Sequence, residues 1–192
     1  MSHSKGIKMK AHCKMTQLPK CAVGKHTAYN IIMTEEIKVH KIFEAPLEEV
    51  WKLFIKPKYI KQWWGPDKFT CPMAKINFEI GKSSLVSMQA PQEFGGNISY
   101  NLWTYTYIEP LKRIEYLQNM ADADGNKRKP TEVGMPEDFP NDVRTIVTFN
   151  RFAANQTEVT ITEIADFGSI SHFAKIGLEQ CMQKATSIFN KQ

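Results

Sequence analysis

The segment from residue 45 to residue 66, APLEEVWKLFIKPKYIKQWWGP, constrains the fold of this chain most strongly. Pro46 suits the first position of a helix, and Pro57 ends that helix because a residue before proline leaves the α region. Residues 59–64 then predict a second short helix, closed by a Gly-Pro pair. The apolar residues of the first helix recur on one face: Leu47, Val50, Trp51, Phe54 and Ile55. The segment therefore predicts two short helices separated by a proline.

This segment and the strand predicted before it, at 37–44, resemble a known family. The resemblance rests on the Ala-Pro pair at 45–46, the Val-Trp pair at 50–51 and the run QWWGP at 62–66. These elements resemble the START-like (SRPBCC, helix-grip) superfamily. More closely, they resemble the family named after the C-terminal half of the activator of the Hsp90 ATPase. The resemblance covers residues 36–190 and implies an α+β helix-grip fold. In that fold a curved antiparallel sheet of about seven strands wraps on a long C-terminal helix, with two short helices after strand 1.

The remaining chain predicts six strands and a long final helix. The predicted strands are 69–79, 83–90, 98–109, 113–120, 143–152 and 157–166. The helix is predicted over 169–190, with Ser169 or Ser171 as its cap. Gly177 lies within the apolar stripe of this helix, where a glycine costs about 1 kcal/mol of helix propensity. We therefore expect Gly177 to admit a close backbone contact or to leave room for something else.

A long polar segment at 121–142 interrupts the predicted strands. Loops of this length inside a domain are functional or mobile. Related domains carry a similar GMxxDFP run, here at 134–140. Residues 122–126 resemble a calcium loop only faintly, because the glycine falls too early and the closing glutamate is missing. We interpret them as an ordinary turn, and the charged run at 127–129 as a solvated surface.

Charge separates the first 34 residues from the rest of the chain. Residues 1–34 contain six lysines and no acidic residue, whereas residues 35–192 are close to neutral at −1. A nucleic-acid partner is therefore not predicted from the basic total. We interpret residues 1–34 either as a disordered basic extension or as the result of a start codon placed too early. Met33 would be an ordinary beginning for a domain of residues 35–192, and we favour that interpretation.

The cysteine pattern does not indicate a disulfide framework. Two cysteines lie in the basic segment, one lies near a strand and one lies in the final helix: Cys13, Cys21, Cys71 and Cys181. This pattern favours a reduced, cytoplasmic protein. The cysteines and histidines between residues 12 and 26 match no common zinc spacing, so we predict no metal site. We find no apolar run with the length of a signal-peptide core or a membrane span.

The resemblance implies a cavity between the sheet and the final helix. We expect this cavity to bind a hydrophobic or aromatic small molecule without catalysis and without a cofactor. The candidate walls combine aromatic rings with a few small or polar residues: Trp63, Phe78, Met88, Trp103, Tyr105, Tyr116, Phe149, Phe173, Gly177 and Cys181. The alternative for each of them is that it simply fills the core.

Two other functions stay open at this point. The family name suggests a co-chaperone that activates a heat-shock ATPase, although eukaryotic activators also carry an N-terminal domain that this chain lacks. Some START-like relatives are cyclases or aromatases, for which Tyr105, Tyr116 or Glu115 could serve here. His172 lies at a strand-to-helix junction, where a solvated position is the simpler interpretation, so we predict no catalytic residue. The run NFEIGK at 77–82 lacks the arginine and second glycine of many relatives, so no relative's ligand can be transferred.

Overall fold

The computed structural model describes residues 34–190. The prediction for residues 1–34, either a basic extension or a start codon placed too early, therefore lies almost entirely outside the described residues. The histidines and cysteines between residues 12 and 26 also lie outside them. The described strands are β1 (Glu35–Phe43), β2 (Ala74–Lys75), β3 (Ser83–Gln89), β4 (Ile98–Glu109), β5 (Arg113–Ala121), β6 (Val143–Ala153) and β7 (Gln156–Ala165). The α-helices are α1 (Leu47–Ile55), α2 (Pro57–Trp63) and α3 (Ser171–Ser187).

The seven strands form one antiparallel sheet in the order β1-β7-β6-β5-β4-β3-β2. Strand β7 shows the alternation of a half-buried strand along its whole length, with every second residue buried. Helix α3 packs beside β1 and α2, and it covers part of the concave face. The predicted α+β helix-grip architecture is therefore confirmed, including the two short helices after strand 1.

The strand predicted over 69–79 is wrong in its length. Only residues 74–75 form a strand, together with an isolated bridge between Thr70 and Gln89. Serine side chains of β3 replace the backbone acceptors of a regular ladder here. The amide of Met73 donates to Ser87 Oγ at 2.9 Å, and the amide of Asn77 donates to Ser84 Oγ at 2.9 Å. The β-rich composition of residues 69–79 did not indicate that serine hydroxyls would replace backbone carbonyls as hydrogen-bond acceptors here.

Helices α1 and α2 form at the predicted place and bury aromatic rings in the core. The indole of Trp63 donates from Nε1 to the carbonyl of Leu53 at 2.8 Å, which joins the two helices. Gly65 closes the segment with a φ of 110°, and a Cβ there would lie 3.1 Å from the Cβ of Phe69. The turn therefore requires glycine.

Helix α3 begins without the predicted serine cap. A short 3-10 turn (Gly168–Ile170) leads directly into it, and no side chain caps the first amides. Its fully buried residues all lie in the C-terminal part: Leu178, Cys181, Met182, Ala185 and Thr186. The N-terminal part contains Phe173, which is 73% exposed. The part of α3 from Leu178 onward is therefore the most deeply buried, whereas Ile170 and Ala174 pack against the core only partly.

Candidate functional site

A cavity of about 440 Å³ lies between the sheet and α3 and is partly open to solvent. Four parts of the chain form its walls. The turn after α2 contributes Trp64, Pro66 and Phe69, and the loop before β6 contributes Met135, Pro136, Phe139 and Pro140. The sheet contributes Met88, Ser99, Asn101, Gln118, Met120, Val143 and Glu163. The α3 side contributes Phe167, Ile170, Phe173, Ala174, Gly177, Leu178 and Cys181. The surface is mainly apolar, and a few polar groups lie on the sheet.

The structure separates the ten residues predicted from the sequence into two groups. Met88, Phe173, Gly177 and Cys181 line the cavity. The other six lie outside its walls and pack with the aromatic rings of the core: Trp63, Phe78, Trp103, Tyr105, Tyr116 and Phe149. The rings of Trp51 and Phe149 lie 4.9 Å apart, and those of Phe78 and Tyr105 lie 5.0 Å apart. These contacts fill the end of the sheet that α1 and α2 cover.

Gly177 provides space for the cavity at the centre of the α3 wall. A Cβ added to Gly177 would meet no atom within 4 Å. Of the two roles considered for this glycine, the geometry therefore fits open space and not a close backbone contact. Any side chain longer than a methyl group would project toward that space.

The loop between β5 and β6 is held at both of its ends. At its start, Asp122 accepts hydrogen bonds from the amide of Asn126 at 2.8 Å and from Arg128 Nε at 3.0 Å. These bonds lower the pKa of Asp122 to about 2, with the bonds to Asn126 as the largest cause. Near its end, Asp138 accepts from the amide and the hydroxyl of Ser169, just before α3. The loop therefore reaches the start of α3, beside the cavity.

The polar groups of the cavity lie on the sheet. Gln118 accepts a hydrogen bond from Trp103 Nε1 at 3.1 Å through its Oε1. The side chain of Asn101 is buried and belongs to the same wall. The indole nitrogen of Trp64 is buried and makes no hydrogen bond with the described residues. Such groups can orient a ligand whose body is apolar.

Glu163 is the ionisable acid in this wall. It lies on β7, directly between Ile37 of β1 and Thr145 of β6, and it is buried. Its carboxyl group makes no hydrogen bond or ion pair with residues 34–190, and burial raises its pKa to about 7. A largely buried carboxyl without a protein partner is unusual, because its charged form loses most of its hydration and gains no counter-charge in return.

A family comparison agrees with this architecture. The model of the family described as "Activator of Hsp90 ATPase homolog 1-like protein" matches residues 44–190. The chain belongs to this family. No curated protein matches the chain.

Solved structures of similar fold are numerous. A protein from Chromobacterium violaceum has a TM-score of 0.66 at 19% identity, covering 82% of this chain and 98% of that chain. A protein from Staphylococcus epidermidis has a TM-score of 0.64 at 24% identity, with 81% and 90% covered. A protein named AHSA1 from Silicibacter pomeroyi has a TM-score of 0.62 at 12% identity, with 81% and 98% covered. At these identities the likeness concerns the fold alone.

Sequence reasoning missed several cavity residues of this activator-homologue domain. It assigned the cavity to Trp63, whereas Trp63 joins α1 to α2 and its neighbour Trp64 lines the cavity. It did not single out Glu163, although a signal was present. Glu163 lies at the same alternating positions as Val159 and Ile161, so an acid occurs there on an apolar strand face. The cavity residues of the long loop lie within the GMxxDFP run at 134–140, which indicated a family feature but not a contact with the cavity.

The residues considered for catalysis do not meet in the activator-homologue fold. His172 is exposed on the first turn of α3. Glu115 forms ion pairs with Arg113 at 2.7 Å and with Arg144 at 2.8 Å, away from the cavity walls. Tyr105 accepts a hydrogen bond from Ser84 in the core, and burial raises its pKa to about 12. Among residues 34–190, no helix is long and apolar enough to cross a bilayer.

Proposed function

We propose that this chain binds a hydrophobic or aromatic small molecule in the cavity between its sheet and α3, without transforming it. The observation that carries the proposal is the cavity itself, with its apolar walls and about 440 Å³ of space. This volume lies within the range of roughly 300–1,000 Å³ that is typical of small-molecule sites. The cavity is partly open to solvent, which gives a ligand a way in.

The construction of α3 supports the same function. Its N-terminal half carries Gly177 where an alanine would fit, at a cost in helix propensity of about 1 kcal/mol. A helix selected only for stability would not leave this space unfilled. Phe173, at the open side, leaves a large ring in water that a bound apolar molecule could cover.

Titration with the neutral fluorescent probe N-phenylnaphthylamine tests this proposal. We expect the native chain and Gly177→Ala to bind the probe with enhanced fluorescence, because a methyl group leaves most of the cavity free. We expect Gly177→Leu to weaken binding at least tenfold, because the leucine side chain would occupy the cavity. Gln183→Leu, at an exposed position of the same helix, is the control for an added apolar side chain.

Equal binding by Gly177→Leu and the native chain would contradict the proposed site. Circular dichroism and thermal unfolding of each variant show whether the fold persists. Loss of binding in Gln183→Leu would also count against the cavity as the site, since that residue lies outside its walls.

A chaperone partner is the second candidate function, and the description of the matching family favours it. On that alternative the chain would stimulate the ATPase activity of an Hsp90 protein. A steady-state ATPase assay of Hsp90 with increasing amounts of the chain tests it. An unchanged rate at saturating amounts of the chain would remove this candidate. A rate that rises equally with the native chain and Gly177→Leu would assign the activity to a surface outside the cavity.

We also propose a cytoplasmic location. Cys71 and Cys181 are free thiols buried in the described part of the chain. Buried reduced cysteines fit a reducing compartment. Fractionation of the host cells, followed by detection of the chain, tests the location directly.

A further inference from the structure

Glu163 differs from every other described carboxylate with a shifted pKa, because each of those has a charged or hydrogen-bonding partner. Glu115 pairs with two arginines, Asp122 pairs with Arg128, and Asp142 pairs with Lys127 at 2.6 Å. Glu163 is buried, lines the cavity and has no such partner among residues 34–190. The fold therefore supplies a partner to each of those acids and leaves Glu163 facing the cavity without one.

The neighbours of Glu163 cannot supply the missing charge. Ile37 of β1 and Thr145 of β6 flank it on the sheet. The titratable side chains that interact electrostatically with Glu163 are Tyr116 on β5 and Cys181 on α3. Burial raises the pKa of Tyr116 well above its ordinary value and that of Cys181 to about 12, so both side chains are neutral near pH 7.

The α3 lysine that interacts with Cys181 is already engaged elsewhere. Lys184 donates from Nζ to the carbonyls of Gly65 at 2.8 Å and Phe69 at 2.9 Å. It holds the turn after α2 and does not reach Glu163. No lysine or arginine lines the cavity within the described part of the chain.

A ligand is therefore the remaining source of a positive charge for this site. An ionised carboxylate in an apolar cavity is costly unless it is paired and hydrogen-bonded. An ammonium group would supply both the opposite charge and the hydrogen-bond donors. Aromatic rings of the walls, such as those of Trp64, Phe139 and Phe167, would also favour a cation near their faces.

We propose that the ligand is a hydrophobic amine whose ammonium group pairs with the Glu163 carboxylate while its apolar body fills the cavity. This inference rests on the proposed binding function and names its ligand class. A ligand with a carboxylate is disfavoured, because two like charges would share a site without a cation. A neutral ligand would fit the walls and could at most hydrogen-bond with Glu163, because it would supply no opposite charge.

Competition against N-phenylnaphthylamine with three probes of matched body tests this inference. The probes are naphthylmethylamine, naphthylmethanol and naphthoic acid. At about pH 8 we expect the amine to bind at least tenfold more tightly than the alcohol and the acid to bind most weakly. Between about pH 6 and pH 8 the amine should gain about tenfold in affinity, because the carboxylate population of Glu163 rises over this range.

Two glutamine variants assign the preference to one carboxylate. Glu163→Gln should keep binding of the neutral dye and the alcohol and lose the preference for the amine. Glu158→Gln changes an acid on the opposite face of β7, beside Asn150, and should keep the preference. Retained dye binding in Glu163→Gln shows that its fold and cavity persist.

The outcomes separate this inference from the proposed function. If the amine binds no better than the alcohol, or if Glu163→Gln keeps the preference for the amine, the proposed ligand class is wrong. The proposed binding function of the cavity is unaffected by either result. If neither the dye nor any naphthyl probe binds the native chain, both proposals fail.

Discussion

Glu163 lowers the stability of the folded chain near neutral pH, and its burial explains the sign. The pKa of this carboxyl rises from its ordinary 4.5 to about 7 on folding. Below pH 4.5 the group is protonated in both states and has no effect. Between pH 4.5 and about pH 7, Glu163 is ionised in the unfolded chain but still largely protonated in the folded chain. The free energy of unfolding therefore falls as pH rises. Above about pH 7 the loss levels off at about 3 kcal/mol.

The variant Glu163→Gln should remove this pH dependence. We expect it to match the native chain at about pH 4 and to exceed its free energy of unfolding by up to about 3 kcal/mol at about pH 8. Urea unfolding followed by tryptophan fluorescence across this range measures the difference. Glu158→Gln is the control, and a gain for Glu163→Gln that does not change with pH would contradict the assigned burial.

Gly177 determines how much space the helix α3 leaves. Its Cβ position is open and its backbone is helical, so alanine fits without strain. We expect Gly177→Ala to raise the free energy of unfolding by about 1 kcal/mol through helix propensity. Thermal and urea unfolding measure this gain. A destabilised Gly177→Ala would mean that the space seen at this glycine is filled by another group in solution.

Lys184 joins α3 to the turn that carries the QWWGP run. Its ammonium donates to two carbonyls of that turn, and burial lowers its pKa. We expect Lys184→Met, which keeps the aliphatic stem, to lose about 1–2 kcal/mol of stability, because two carbonyl groups lose a charged donor.

Lys175→Met, at an exposed position of the same helix, should change stability little. Urea unfolding compares the two variants directly. Equal stability of Lys184→Met and Lys175→Met would show that the contact with the turn contributes nothing.

The elements differ in how far their sequence determines them. Helices α1 and α2 were predictable because Pro46 and Pro57 mark their boundaries and apolar spacing marks the buried face of α1, although α2 begins at Pro57 and not at Tyr59. Strand β4 agrees with its predicted bounds because aromatic and β-branched residues fill it between clear turns. The region before β3 was not predictable, because serine hydroxyls of β3 take the place of backbone acceptors there.

The site was less predictable than the fold. Aromatic residues identify a core but do not say which of them face a cavity, so Trp63 and Trp64 could be distinguished only by the contacts of their indoles. Phe173 and Gly177 could be placed in the cavity wall because the resemblance implied a space beneath the final helix. The loop residues Phe139 and Pro140 reach the cavity through tertiary contacts that local patterns do not encode.

At the scale of the whole molecule, one end of the sheet supports a packed core and the other end supports the cavity. At one end, α1 and α2 fill the concave face with aromatic rings and stabilise the fold. At the other end, the N-terminal half of α3 and the long loop cover the sheet without filling it. This division explains how one apolar face can support both a packed core and a binding cavity.

Methionine methyl groups offer the most direct test of the cavity as a binding site. Met88, Met120 and Met135 line it, whereas Met73 and Met182 do not. We would record methyl NMR spectra of methionine-labelled protein while adding naphthylmethylamine. The account predicts shifts, and contacts between ligand and methyl protons, at the three cavity methionines and none at the other two. Unchanged signals at all three cavity methionines, or shifts centred on Met73 or Met182, would contradict it.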